Sequence, residues 1–247
     1  MKYILALLFC TSVLFGGTIK IAVAANVSYA IEDLKKAFHE RFPDIKVETV
    51  LGSSGKLTAQ IQNGAPYDLF MSANMKYPQA LYASGAAVTI PLVYAQGALA
   101  LVTTGKTDLS KGLDVLKEER IKRIAVANPK TAPYGVAAKA ALEKAGLYDT
   151  LKPKFVYGES ISQTMTYALR AADVGIVAKS ALYSPKLAHL QKGKQWVSVD
   201  TKYYRPIDQG IVILKQGENS VETAAFYAFI FSKKAEEIFK AYGYMVP

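Results

Sequence analysis

Between Val50 and Ile61 the chain reads VLGSSGKLTAQI, and Gly52-Ser53-Ser54-Gly55-Lys56 has the small residues and lysine of a phosphate-binding loop. The spacing excludes a nucleotide. Such a loop sets its first glycine five residues before the second and follows the lysine with Ser or Thr to hold magnesium. Here Gly52 is only three residues before Gly55, and Leu57 follows Lys56. What remains is a hydroxyl-rich start to a helical pattern. Similar junctions occur at Ala25-Asn26-Val27-Ser28, at Thr131-Ala132-Pro133-Tyr134-Gly135 and at Ser160-Ile161-Ser162-Gln163. Pro133 suits a first-turn position, and Ser160 with Gln163 three residues on has the spacing of a capping box. Helix N-termini present unpaired backbone N–H groups at the positive end of the dipole, which together attract anions. Asn26, Ser53 and Ser54 can add neutral side-chain donors. The chemistry on offer is capture of a small anion.

Catalytic sets are scarce. The only histidines are His39, in the charged stretch FHERF, and His189, in KLAHLQKGK. Neither has a partner at zinc-ligand spacing. A G-x-S-x-G nucleophile elbow is absent, because GSSG is one residue short and GESIS lacks its second glycine.

Positioning four helix starts around one anion requires strands that end where helices begin. TIKIAVAANV (18–27) is a nearly all-apolar strand, and Ala30, Ile31, Leu34, Ala37 and Phe38 then repeat at helical spacing up to Pro43. IKVETVL, KLTAQIQNG, DLFMSAN and YPQALYASG continue as strand, helix, strand, helix. A long apolar stretch, TIPLVYAQGALALVTTG (89–105), interrupts the alternation. A second set follows: strand RIAVAN, a helix from Pro133, strand KFVYG, helix ISQTMTYALRAA and strand VGIVA (174–178). RPIDQGIVILKQG (205–217) resembles the earlier interruption, and two helical segments finish the chain. Repeated strand–helix alternation specifies a mostly parallel sheet with right-handed crossovers. Two such units joined by two extended crossovers predict an α/β protein of two lobes, with a hinge and a cleft. Ligands of open α/β sheets sit beyond the carboxyl ends of the strands. One continuous doubly wound sheet is the alternative topology.

The 247 residues, 51% hydrophobic and 20% charged, can fill such a core. Met1-Lys2, the apolar run YILALLFCTSVLF and Gly16-Gly17 have the form of a secretory signal peptide, assigned to residues 1–17. Phe9 is too bulky for the residue before a lipid-anchored cysteine, so Cys10, the only cysteine, is expected to leave with the signal. The net charge of +10 comes from scattered lysines with interleaved acids, as on a solvated basic surface. Export argues further against nucleic acid.

AVAANVSYAIEDL, LGSSGKLTAQIQNGAPYDLFMSAN, RIAVANPKTAPYGVAAKAALEKAG, VGIVAKSAL and AEEIFKAYGY together resemble the periplasmic molybdate-binding (ModA) family, in order and over almost all of the mature chain. GAPYDLFMSAN is the most diagnostic block. The resemblance implies a type II periplasmic-binding fold of two Rossmann-like lobes on a two-segment hinge. Residues 18–92 with 204–247 would form one lobe and 93–203 the other. It implies a periplasmic, monomeric, non-enzymatic protein without cofactor. Its ligand would be molybdate, and usually tungstate, delivered to the membrane permease of an ABC importer with its cytoplasmic ATPase. Family contacts fall on Asn26, where a serine is common, on Ser54, and on the backbone of Tyr134 and Ile161, with Ser53 adjacent. A family tyrosine would fall at Ala178, which has no hydroxyl, and the Tyr134 hydroxyl is the candidate replacement. A sulfate or thiosulfate carrier is the nearest alternative. Tyr203-Tyr204 also resembles the tyrosine pair of exported ferric-binding proteins, whose phenolates suit a hard cation.

Overall fold

The computed structural model describes residues 16–247. The expected signal segment, Cys10 included, lies outside them except for Gly16 and Gly17, and Gly17 opens the first strand.

Lobe I begins with β1 (Gly17–Ala24), α1 (Ile31–Arg41), β2 (Ile45–Gly52), α2 (Ser54–Gln62), β3 (Leu69–Met71), α3 (Lys76–Ala83) and β4 (Leu92–Gly97). Lobe II follows with β5 (Leu99–Val102), β6 (Ile124–Ala127), α4 (Pro133–Lys144), α5 (Tyr148–Leu151), β7 (Phe155–Gly158), α6 (Ile161–Arg170), β8 (Val174–Ala178) and β9 (Trp196–Ser198). The chain then returns to lobe I for β10 (Ile207–Ile213), α7 (Val221–Ile230) and α8 (Lys233–Ala241). The strand orders are β2-β1-β3-β10-β4 and β7-β6-β8-β5-β9, two separate sheets of one plan. In each, three parallel strands are extended by an antiparallel fourth. The single-sheet alternative is thereby excluded.

Successive side chains of a strand point to opposite faces, so strands apolar throughout are covered on both sides. In β1, Ile19, Ile21 and Val23 join one core with Phe38, Phe226 and Phe239, whereas Ala22 joins the other with Leu57 and Leu81. In β6, Ile124 and Val126 pack on one side of the lobe II sheet and Ala125 on the other. The helices α1, α7 and α8 thus cover one face of lobe I and α2 and α3 its opposite face. In α1 the stripe Ile31, Leu34, Ala37, Phe38 is the buried face, and the helix stops at Arg41, just before Pro43.

Three expectations shift. The first strand ends at Ala24 rather than Val27, and residues Ala25–Tyr29 form a 3-10 turn. The Asn26 carbonyl accepts from the Tyr244 hydroxyl (2.9 Å) and the Ser180 hydroxyl (3.4 Å), which holds this backbone out of the sheet. The stretch 89–105 contains two strands belonging to different lobes, β4 and β5. The outward crossing therefore lies at Ala98, not at residues 92–93, because β4 pairs with β10 of lobe I. The return occupies 199–206, between β9 and β10.

Candidate functional site

Three helix starts converge where the lobes meet. Helix α2 opens with Ser53 at its N-cap, in extended backbone (φ −69°, ψ 145°), and Ser54 as first helical residue. Helix α4 opens with Pro133, whose missing N–H makes Tyr134 the first donor of that helix. Helix α6 opens at Ile161, with the Ser160 hydroxyl accepting from Gln163 N at 3.2 Å. The Gln163 side chain accepts from Glu159 N (2.7 Å), one residue earlier than the expected capping box. The backbone N–H groups of Ser54, Tyr134 and Ile161 have no partner among the described residues, as first-turn geometry dictates. Asn26 differs: it sits in the short 3-10 turn after β1, not at the start of α1.

Asn26, Ser53, Ser54, Tyr134 and Ile161 line one small, tight cavity, together with Ala24, Ala25, Ala73 and Ala132. No lining residue is charged. Three hydroxyl or amide oxygens at or beside it, Asn26 Oδ1, Ser53 Oγ and Thr131 Oγ1, are buried without a hydrogen-bond partner. A buried polar atom left unpaired costs on the order of 1–3 kcal/mol, so these three oxygens are costly wherever no partner reaches them. Ser54 Oγ accepts from Ala73 N at 2.9 Å, which leaves its own proton available for donation. Lys56 is not in the cage. Its ammonium pairs with Glu159 of lobe II at 2.7 Å, with both side chains about half exposed.

That ion pair is one of several contacts that close the lobes on each other. Gly55 N donates to Thr131 O at 2.9 Å, directly joining the starts of α2 and α4. A Cβ at position 55 would lie 2.9 Å from that carbonyl oxygen and 2.7 Å from the Tyr77 hydroxyl, so only glycine allows the approach. The Glu159 carboxyl is held below the usual carboxylate range by its bond to Lys56, aided by Asn128.

Beneath the cage lies a polar cluster that sequence reasoning missed. Gln209, in β10, is fully buried. Its Oε1 accepts from Asn26 Nδ2 and from the Tyr94 hydroxyl, each at 2.8 Å. Its Nε2 donates to the Tyr134 hydroxyl at 3.3 Å, and Asn26 Nδ2 also donates to the Tyr244 hydroxyl at 3.0 Å. A polar glutamine inside the apolar strand IDQGIVI was the available signal. Burial pushes the Tyr94 and Tyr134 phenols well above their ordinary value, and burial lifts Tyr244 to about 12 against the lowering effect of its hydrogen bonds. All three stay neutral at physiological pH.

One sequence expectation, at Ala178, is corrected. Ala178 does not line the cavity; it is buried in the lobe II core that includes Leu99 and Tyr134. The Tyr134 hydroxyl, the candidate replacement for a family tyrosine, is engaged within the protein. It sits against the crossing segment, bonded to Gln209 and so near Gly97 that a Cβ there would lie 2.0 Å away. What Tyr134 offers the cavity is its backbone N–H. Tyr203 and Tyr204 stand elsewhere, along a wider groove beside the return crossing. The Tyr204 hydroxyl accepts from Leu99 N at 2.8 Å, and burial raises its pKa. No group of three or more His, Cys, Asp or Glu side chains among the described residues is placed to hold a metal ion, and the ferric alternative is not favoured.

The model of the family described as bacterial extracellular solute-binding protein matches residues 19–245. The molybdate-binding protein ModA of Azotobacter vinelandii is 38% identical over 92% of this chain and 89% of its own length. The chain belongs to the ModA family of bacterial solute-binding proteins. ModA of Rhodobacter capsulatus is 35% identical over 93% of this chain and 89% of its own. The solved structure of the Azotobacter vinelandii periplasmic molybdate-binding protein superposes with a TM-score of 0.85 at 33% identity, covering 93% of this chain and 99% of that one. The family's two-lobed fold is the one described above.

Proposed function

We propose that this protein captures molybdate, and tungstate with it, outside the cytoplasmic membrane and delivers it to the permease and ATPase of an ABC importer. The observation carrying the reading is the uncharged cage. Backbone donors from three helix starts and the hydroxyls of Ser53 and Ser54 surround one small cavity, with no acid to repel an anion and no base to hold it indiscriminately. A tetrahedral dianion there is stabilised by hydrogen bonds, and the helix dipoles offset its charge. Selection against sulfate comes from size: walls set for longer metal–oxygen bonds leave donors underused around a smaller ion, and underused buried donors are costly. Release to the importer follows from opening the lobes at the two crossings, with the bound ion favouring the closed state.

Titration calorimetry with molybdate, tungstate and sulfate tests the reading. One equivalent of molybdate or tungstate should bind tightly, and sulfate at least a hundredfold more weakly. Comparable sulfate affinity would overturn the size argument and favour a sulfate-type carrier.

A further inference from the structure

Tyr244 holds a residue of the cage without lining the cavity itself. It is buried, and its hydroxyl makes two bonds to one partner, donating to Asn26 O at 2.9 Å and accepting from Asn26 Nδ2 at 3.0 Å. The phenol is fixed in its turn. Its ring stands edge-on to Phe239 (centroids 5.6 Å apart, 83° between planes). Met245, the next residue, exchanges both backbone bonds with Gln96 (2.7 and 3.0 Å), just before the outward crossing at Ala98. On the other side Gly243, at φ +72°, comes so close to lobe II that a Cβ there would lie 2.5 Å from the Tyr183 ring. The turn that Tyr244 holds, Ala25–Tyr29, meets lobe II as well. Asn26 O also accepts from the Ser180 hydroxyl of lobe II at 3.4 Å, and Tyr29 packs against the buried cores of both lobes. A short 3-10 turn has few good bonds of its own, so Asn26 is placed largely from outside the turn. Of the two donors to its carbonyl, Tyr244 is the nearer and belongs to the same lobe. It can therefore hold Asn26 whether the lobes are open or closed, whereas Ser180 reaches that carbonyl only when they close.

We infer that Tyr244 is a positioning residue for anion capture: from the C-terminal segment it holds the Ala25–Tyr29 turn in the place where lobe II closes on it, and so sets both the position of Asn26 in the cage and the end-point of closure. Tyr244 does not touch the ligand. It acts through one carbonyl, which joins a cage residue, the end of the chain and the opposite lobe. The inference rests on the oxyanion reading above and adds to it the residue that readies the first-lobe wall of the cage.

The test is calorimetric titration with molybdate of wild-type protein, Tyr244→Phe and Tyr242→Phe. Tyr244→Phe keeps the ring on Phe239 and removes only the hydroxyl. Its dissociation constant should rise about tenfold or more, with one equivalent still bound. Tyr242→Phe is the control from the same segment: it loses a bond of similar length, from its hydroxyl to Asp33 Oδ2 at 2.8 Å, away from the cage. Its dissociation constant should stay within about twofold of wild type. A Tyr244→Phe protein with unchanged dissociation constant overturns the inference, even if fewer of its molecules bind, because that is the mark of a purely structural role. Equal weakening by both variants overturns it too. Wild-type protein that ignores molybdate overturns the functional reading instead. A measurement on the wild type alone guards against a variant that does not fold. In 13C spectra of tyrosine-labelled protein, the Tyr244 Cζ signal should move on saturation with molybdate, as Ser180 comes to share its acceptor, whereas that of Tyr242 should not. A Tyr244 signal that stays in place, or that moves no more than the Tyr242 signal, overturns the inference.

Discussion

Replacing Ser54 with alanine removes two interactions at once. The Ala73 N–H loses its acceptor, and the cavity loses a hydroxyl. With roughly 1–3 kcal/mol for each unsatisfied buried group, molybdate affinity should fall about ten- to hundredfold, read by calorimetry. Ser53 separates ligand from fold more cleanly. Its hydroxyl is buried and bonded to nothing in the protein, so Ser53→Ala should leave the melting temperature of the ligand-free protein unchanged while weakening molybdate. Unchanged affinity would show that this hydroxyl does not serve the ligand. The serines, Tyr134 and Ile161 could be found in sequence because helix starts have local signatures. Gln209 could not. It is 183 residues from Asn26 and 115 from Tyr94, and no periodicity within a window reports a contact made across the whole chain.

Helix starts and crossings decide how the cage closes. Gly97 ends β4 beneath the Tyr134 hydroxyl, and a methyl group there would collide with that oxygen and with Gln209 Nε2. Gly97→Ala should cut molybdate affinity at least tenfold by holding the lobes apart, and Tyr134→Phe in the same chain should restore part of it by removing the oxygen. No rescue would mean that the collision is not what limits closure. The Lys56–Glu159 pair, half exposed, is a weaker tie. Because Glu159 is depressed in the closed form, its contribution is fully present above the ordinary glutamate value of about 4.3 and is lost as pH falls through the lower closed-form value. Glu159→Gln should therefore lower affinity less than about threefold at neutral pH, and the gap from wild type should vanish in strong acid or high salt. The strand and helix periods were plain in sequence, yet the place where the chain changes lobes was not. Strands β4 and β5 run on through Ala98 as one apolar stretch, and only their hydrogen-bonding partners separate them.

At the level of the molecule, two sheets of one plan meet through the helix starts beyond their strand ends, around the cavity proposed to hold the ligand. Binding should then raise the melting temperature by mass action, about 4 kcal/mol at a thousand times the dissociation constant, and should shrink the radius of gyration seen by X-ray scattering. A ligand-saturated protein as extended as the free one would contradict closure by the lobes. The two-lobed plan could be read in advance because the strand–helix alternation stops and restarts. Its antiparallel fourth strands could not, since direction within a sheet leaves no local trace.

The position of β10 between β3 and β4 has a further consequence for how the chain comes to be folded. The middle of the first sheet is filled by residues near the end of the sequence, whereas the second sheet is complete by Ser198. As the chain emerges from its N-terminus, the inserted lobe has all its strands before the lobe that encloses it can join its two halves. The opening lobe is thus assembled last, through pairings of high sequence separation, which fold slowly. Until then β3 and β4 present unpaired edges, the surfaces most prone to misassociation. Premature closure on an anion is also prevented, since Gln209 and Tyr244 reach Asn26 only with that final segment.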